Sequence, residues 1–141
     1  MRPAISAQPK EKSLRYENVS SATAEEGVIR LLMLDPTLAS LTGELKTEDF
    51  SSPFLAKLYE MVQERCVDGR SMSLAILTSE LPPEEASHLT EIMQKPENMQ
   101  ESEKAMSDYI EKIKTEKLKK ISKDNLLAVQ EKLKEKKGYG G

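Results

Sequence analysis

The sequence predicts an all-α protein: a compact bundle of about six helices followed by a long C-terminal helical arm. Three observations carry this. Apolar residues recur three and four apart in one segment after another. No segment alternates apolar and polar residues as a half-buried strand does. β-Branched residues are thin. With two Phe, four Tyr and no Trp, the core must rest on Leu, Ile, Val and Met. A chain of 141 residues fits one domain with tails. A domain of that size still buries about two thirds of its unfolded surface, enough to fold alone.

Residues 1–21 read as a flexible tether, with two prolines, scattered charge and no apolar period. Thr23-Ala24-Glu25-Glu26 fits a capping box, so the first helix is expected to start at Thr23. Val28, Leu31 and Leu32 give its stripe, and Pro36 ends it near Asp35. Thr37 to Leu41 predicts a short second helix closed by Gly43. The clearest helix runs from Pro53 to about Val67: Ser52 suits the N-cap, Pro53 the first turn, and Gly69 the stop. Leu55, Leu58, Tyr59, Val62 and Cys66 share its apolar face, and Phe50 and Phe54 should enter the core near its start.

Ser71 or Ser73 opens a short helix through Leu74, Ile76 and Leu77. Pro82-Pro83 breaks the chain, and a helix restarts at Pro83 with Ala86, Leu89, Ile92 and Met93 buried. A long helical stretch begins near Met99 to Glu101. Its stripe of Met106, Ile110 and Ile113 changes phase before Leu118, so the stripe turns to another face or the helix bends. Ser122-Lys123-Asp124-Asn125 could break it, and Gly138-Tyr139-Gly140-Gly141 should end it. The expected division is a tether over 1–21, a bundle over 22–113 and an arm over 114–141.

Charge is unevenly spread. Residues 21–111 carry a balance of −11, whereas residues 112–141 hold ten Lys against four acids, a balance of +6. A basic arm allows a weak contact with single-stranded nucleic acid. It has no Arg and no aromatic before Tyr139, so bidentate phosphate clamps and base stacking are missing, and a solvated lysine-rich helix is the plainer reading.

Most catalytic and metal chemistry is excluded by residue supply. One His and one Cys cannot build a structural zinc site. The six glycines form no nucleotide-binding spacing. Cys66 lies on an apolar helix face and reads as a small buried hydrophobe rather than a nucleophile; His88, among acidic neighbours, reads as a partly exposed surface residue. Glu25-Glu26, Glu48-Asp49 and Glu84-Glu85 lie near expected helix starts, where acids complement the macrodipole. Met33, Met61, Met93 and Met106 fit core faces; Met72 and Met99 fall where exposure is expected. No cofactor site is expected. No apolar run approaches the ~20 residues of a membrane span, and no signal peptide is visible, so a cytoplasmic location is expected.

The arm carries more apolar residues than a solvated helix needs: Leu118, Ile121, Leu126, Leu127, Val129 and Leu133. They must cover the body or dock on a partner, helix against helix. These six are the candidate partner-binding residues.

The order Ala24-Glu25-Glu26, Leu31-Leu32, Asp35-Pro36, Phe50, Leu58-Tyr59, Gly69, a Pro-interrupted helix and Asp108-Tyr109-Ile110 entering a charged helix resembles the C-terminal helicase-binding domain of bacterial replicative DNA primases. The resemblance covers residues 22–122. It implies a non-catalytic domain that binds the hexameric replicative helicase, stimulates it and brings primer synthesis to the fork. It implies a monomeric piece of a bacterial, cytoplasmic protein, whose zinc-binding and magnesium-dependent polymerase domains lie upstream. The N-terminal domain of the replicative helicase has the same fold and is the alternative; it should self-associate. The twenty-residue lead and the Gly-rich end, in place of a linker to an ATPase, favour the primase. That family usually ends in a helical hairpin holding main helicase contacts. Here about nineteen residues follow Ser122, so the hairpin is expected to be shortened or cut short.

Overall fold

A computed structural model of the chain describes residues 14–70 and 72–140, with side chains as far as Leu126. Among the described residues there is no strand. Five α-helices follow one another: α1 Val19–Leu34, α2 Pro53–Asp68, α3 Leu74–Ser79, α4 Pro83–Gln94 and α5 Ser102–Gly140. Short 3-10 turns at Pro36–Leu41, Thr47–Asp49 and Met99–Glu101 connect them. The all-α bundle with a long terminal helix is therefore as expected.

Helix α1 is the axis of the body. Twelve of its sixteen residues are buried, and it packs mainly on α5 and α2. Val28, Ile29, Leu31 and Leu32 are sealed from solvent, as are Leu55, Leu58 and Val62 of α2, Leu89 and Ile92 of α4, and Met106 and Ile113 of α5. A helix that shows apolar side chains all round must be covered all round, and α1 is covered that way. Gly27 makes the α5 contact possible, because a Cβ there would collide with the Tyr109 ring.

The start of α1 differs from expectation. Asn18 is the N-cap, its side chain accepting from the Ser21 amide at 3.0 Å. Thr23 lies one turn inside and its hydroxyl donates back to the Val19 carbonyl at 2.8 Å. Leu14 is buried and Tyr16 packs on the core, so this part of the segment expected as tether lies against the body. Residues 1–13 lie outside the described residues.

The second helix is a 3-10 turn opened by Asp35, which accepts from the Thr37 amide at 3.1 Å. α2 has the expected ends. Ser52 accepts from the Leu55 amide at 3.2 Å, and Gly69 closes the helix at φ 68°, a left-handed conformation suited to glycine. Phe54 is buried, and half-buried Phe50 stacks on Tyr59 at 4.7 Å. Met72 is half-buried against the core rather than exposed, while Met99 is exposed. α5 has no break at Ser122–Asn125, and its backbone stays helical through Gly138 and Tyr139 to Gly140. Glycine lowers helix propensity by only about 1 kcal/mol, which does not forbid the conformation at the end of a strong helix.

Candidate partner-binding arm

The base of α5 is held first by packing and then by polar contacts. Met106 and Ile113 are fully buried, with Ala105, Tyr109 and Ile110 against the same core. Beyond Ile113 the contacts are polar. The Lys114 ammonium donates to the Glu44 carbonyl at 2.5 Å and lies 3.5 Å from the Asp49 carboxylate. Lys117 donates to Asp49 at 2.6 Å, and Asn18 donates to Glu116 at 3.2 Å. Asp49 also accepts from the Lys46 amide at 2.9 Å. Burial opposes ionisation of Asp49, but the bonds from Lys117 and the Lys46 amide, with the Lys114 charge, outweigh it and hold the carboxyl below the usual range. Lys117 is raised in turn, chiefly by its bond to Asp49.

From Leu118 to Leu126 every residue is exposed. Leu118 is 64% exposed, Ile121 44% and Leu126 57%, so the body covers none of them. At 100° per residue this group is turned by roughly 120° about the helix axis from Met106, Ile110 and Ile113. The change of face is thus present within an unbroken helix. Leu127, Val129 and Leu133 lie in the helical backbone, but their side chains fall outside the described residues. Where the shaft leaves the body, a cleft of about 700 Å³ opens between α5, the start of α1 and the segment ending at Ser51; Val19, Phe50 and Ile121 are its apolar members.

Two polar clusters sit inside the body. Tyr16 Oη lies 2.5 Å from Glu26 Oε2 and 2.5 Å from His88 Nε2, and Lys95 donates to Glu26 Oε1 at 2.5 Å. Arg30 donates to Glu97 at 3.0 Å and to the Ile92 carbonyl at 3.1 Å, while Tyr109 donates to both Glu97 oxygens. His88 is therefore a buried residue, 5% exposed, between the Tyr16 and Phe54 rings, and not a surface histidine. Burial pushes its pKa down, against the pull of Glu26 and Glu91. Burial and the Glu26 carboxylate push the Tyr16 phenol far up, so it stays protonated and donates to Glu26. These groups are satisfied by one another and knit the helices together. Cys66 is half-buried, and burial raises its thiol, which makes it a poor nucleophile. Twelve residues separate it from Phe54, about 18 Å along α2, so it does not meet His88.

Of the three acidic pairs, Glu84-Glu85 stands in the first turn of α4 as expected, whereas Glu25-Glu26 and Asp49 do not serve an α-helix start. Glu25 and Glu26 are 0% and 2% exposed in the middle of α1. Glu25 accepts from Ser21 Oγ at 2.6 Å, Ser51 N at 2.8 Å, Ser51 Oγ at 2.6 Å and Ser52 N at 3.3 Å. Asp49 serves the arm rather than the α2 dipole. A signal existed: Glu25, Glu26 and Arg30 stand in a segment that is otherwise nearly all small or apolar, where charges must be buried and paired. Among the described residues no group of three His, Cys, Asp or Glu is placed to hold a metal ion, and no helix is long and apolar enough to cross a membrane.

The family described as DnaB-like helicase N terminal domain matches residues 17–115. That span runs from just before α1 to the base of α5. Curated proteins and solved structures give no significant match.

Proposed function

We propose, from the premise that the chain belongs to the DnaB-like helicase N terminal domain family, that it is the helicase-binding segment of a bacterial replicative DNA primase. Family membership makes it a non-catalytic, helicase-associated interaction domain. The observation that carries the finer reading is the shaft of α5, where Leu118, Ile121 and Leu126 stand exposed. Three aliphatic side chains in the open on one helix suit helix-on-helix docking with a partner. The order of motifs that resembles the primase domain, with Asp108-Tyr109-Ile110 near the base of this helix, supports the primase as parent.

On this reading the domain works as a tether in the bacterial cytoplasm. A contact of modest affinity raises the local concentration of primer-synthesising domains at the fork, and several copies on one hexamer add avidity. Zinc and magnesium chemistry belongs to other domains of the parent. Calorimetry with a purified hexameric replicative helicase tests it. The native chain should bind, and Leu118→Asp with Leu126→Asp should weaken binding at least about tenfold, since each exposed aliphatic that becomes buried contributes on the order of 1 kcal/mol or more. Unchanged binding with intact helical content rejects the arm as the interface.

The family's own description favours a second reading, the N-terminal domain of the helicase itself. Sedimentation separates the two. A stable oligomer at micromolar concentration supports the helicase, and a monomer that binds the hexamer supports the primase.

A further inference from the structure

The shaft of α5 has to point somewhere. Among the described side chains, Ser102 to Ile113, about three turns, is anchored by packing, whereas every residue from Leu118 to Leu126 is exposed. At 1.5 Å per residue the helix runs about 34 Å from Leu118 to Gly140, so a swing of about 10° at the root of that stretch moves its far end by about 6 Å. The root lies past Ile113, where apolar cover has ended.

We propose that Asp49 is a positioning residue: with Lys114 and Lys117 it clamps α5 where the helix leaves the body, and so sets the direction of the partner-binding shaft. The inference rests on the reading of α5 as the docking element. Its geometry is specific. The Asp49 side chain is only 8% exposed and receives Lys117 at 2.6 Å, Lys114 at 3.5 Å and the Lys46 amide at 2.9 Å. Lys114 is also tied to the Glu44 carbonyl at 2.5 Å. The two lysines are three residues apart on one side of α5, so the body grips a single face at a single level. An isolated pair between solvated side chains would hold little. Here the carboxylate is sheltered and anchored to its own backbone, so it cannot follow the helix if the helix swings. Asn18, the N-cap of α1, holds the next point through Glu116 at 3.2 Å.

The clamp is tested by pulsed electron resonance on the whole chain. Spin labels go on Glu84→Cys in α4 and Lys123→Cys in the shaft, in a Cys66→Ser background. Asp49→Asn keeps the shape and an acceptor for the Lys46 amide but removes the charge. We expect the label distance distribution to broaden at least twofold, with helical content intact. Lys114→Gln with Lys117→Gln should do the same from the other side, without touching the body. Asp49→Glu, which keeps the charge, should leave the distribution narrow. Helicase affinity should fall about five- to tenfold in the two broadened variants, because apparent affinity scales with the fraction of shafts in the binding direction.

A distribution unchanged by both variants overturns the clamp. So does a broadened distribution with unchanged affinity, since the direction of the shaft would then be irrelevant to docking. The underlying reading fails separately, when Leu118→Asp with Leu126→Asp leaves helicase binding untouched.

Discussion

Replacing Gly27 with Ala should destabilise this domain, although the same change in a solvated helix stabilises it by up to about 1 kcal/mol. A Cβ at position 27 would meet Cε2 and Cζ of Tyr109 well inside contact distance and Cδ2 at 2.7 Å. The ring cannot stay. Forcing such a methyl into a packed contact costs about 1–3 kcal/mol. When the ring moves, its hydroxyl leaves Glu97, which it now reaches at 3.0 and 2.9 Å. Glu97 is the buried partner of Arg30, both side chains 6% exposed, so a lost bond to that charged group adds about 1.5–3 kcal/mol. Net of the helix gain, we expect a loss of about 2–4 kcal/mol, or a fall in Tm of roughly 10 °C. Urea and thermal unfolding followed by circular dichroism would measure it. Tyr109→Ala relieves the clash, so Gly27→Ala with Tyr109→Ala should be less harmful than the sum of the two changes, by about 1–3 kcal/mol. A stabilised Gly27→Ala, or strict additivity, would show that α1 and α5 do not meet as described.

Glu25→Gln should cost about 2–4 kcal/mol in urea unfolding, because an amide nitrogen must replace either Oε2, which accepts from Ser21 and Ser51, or Oε1, which accepts from the Ser52 amide; a loss under 0.5 kcal/mol would reject the buried cap. His88 gives a pH signature. Burial lowers its folded pKa below the unfolded value of about 6.5, so its contribution is complete above that pH and is lost as pH falls through 6.5 toward the folded value. The urea midpoint should therefore drop between pH 7.5 and 5.5, and His88→Gln should flatten that slope; an equal slope in both proteins refutes it. Leu118→Asp and Ile121→Asp should each change stability by less than about 0.5 kcal/mol, since both side chains are exposed; a larger loss would mean that the shaft folds back on the body.

Legibility in the sequence tracked the reach of the interactions. α2 could be delimited because its stop and start signals, Ser52-Pro53 and Gly69, lie within a turn of its ends. The change of face on α5 was readable from the shift in apolar phase after Ile113, a property of one helix alone, although the sequence left open whether the body covers the new face. The buried charges were not. Thr23 and Glu26 satisfy the local pattern of a capping box, and nothing nearby says that Glu25 is wanted by Ser51 and Ser52, 26 and 27 residues on. Asp49 sits four residues before Pro53 and looks like a dipole acid; its partner Lys117 is 68 residues away. Tyr16 and His88, 72 apart, each look unremarkable in their own surroundings. Local chemistry announces itself in the sequence; a bond that closes a long loop does so only through the oddity of a charge in an apolar segment.

The Glu25 contact has a consequence for how the chain folds. The amides of Ser51 and Ser52 stand at the N-terminus of α2, and they find their acceptor on α1 rather than within their own helix. An isolated peptide spanning residues 50–69 would keep Gly69 and the Ser52 hydroxyl yet lack that carboxylate, so its first turn should fray in water while its last holds. In the intact chain the Glu25 carboxylate ties the two residues before α2 to the middle of α1. A buried bond of that kind couples the two helices across the loop between them, so they should melt as one cooperative unit.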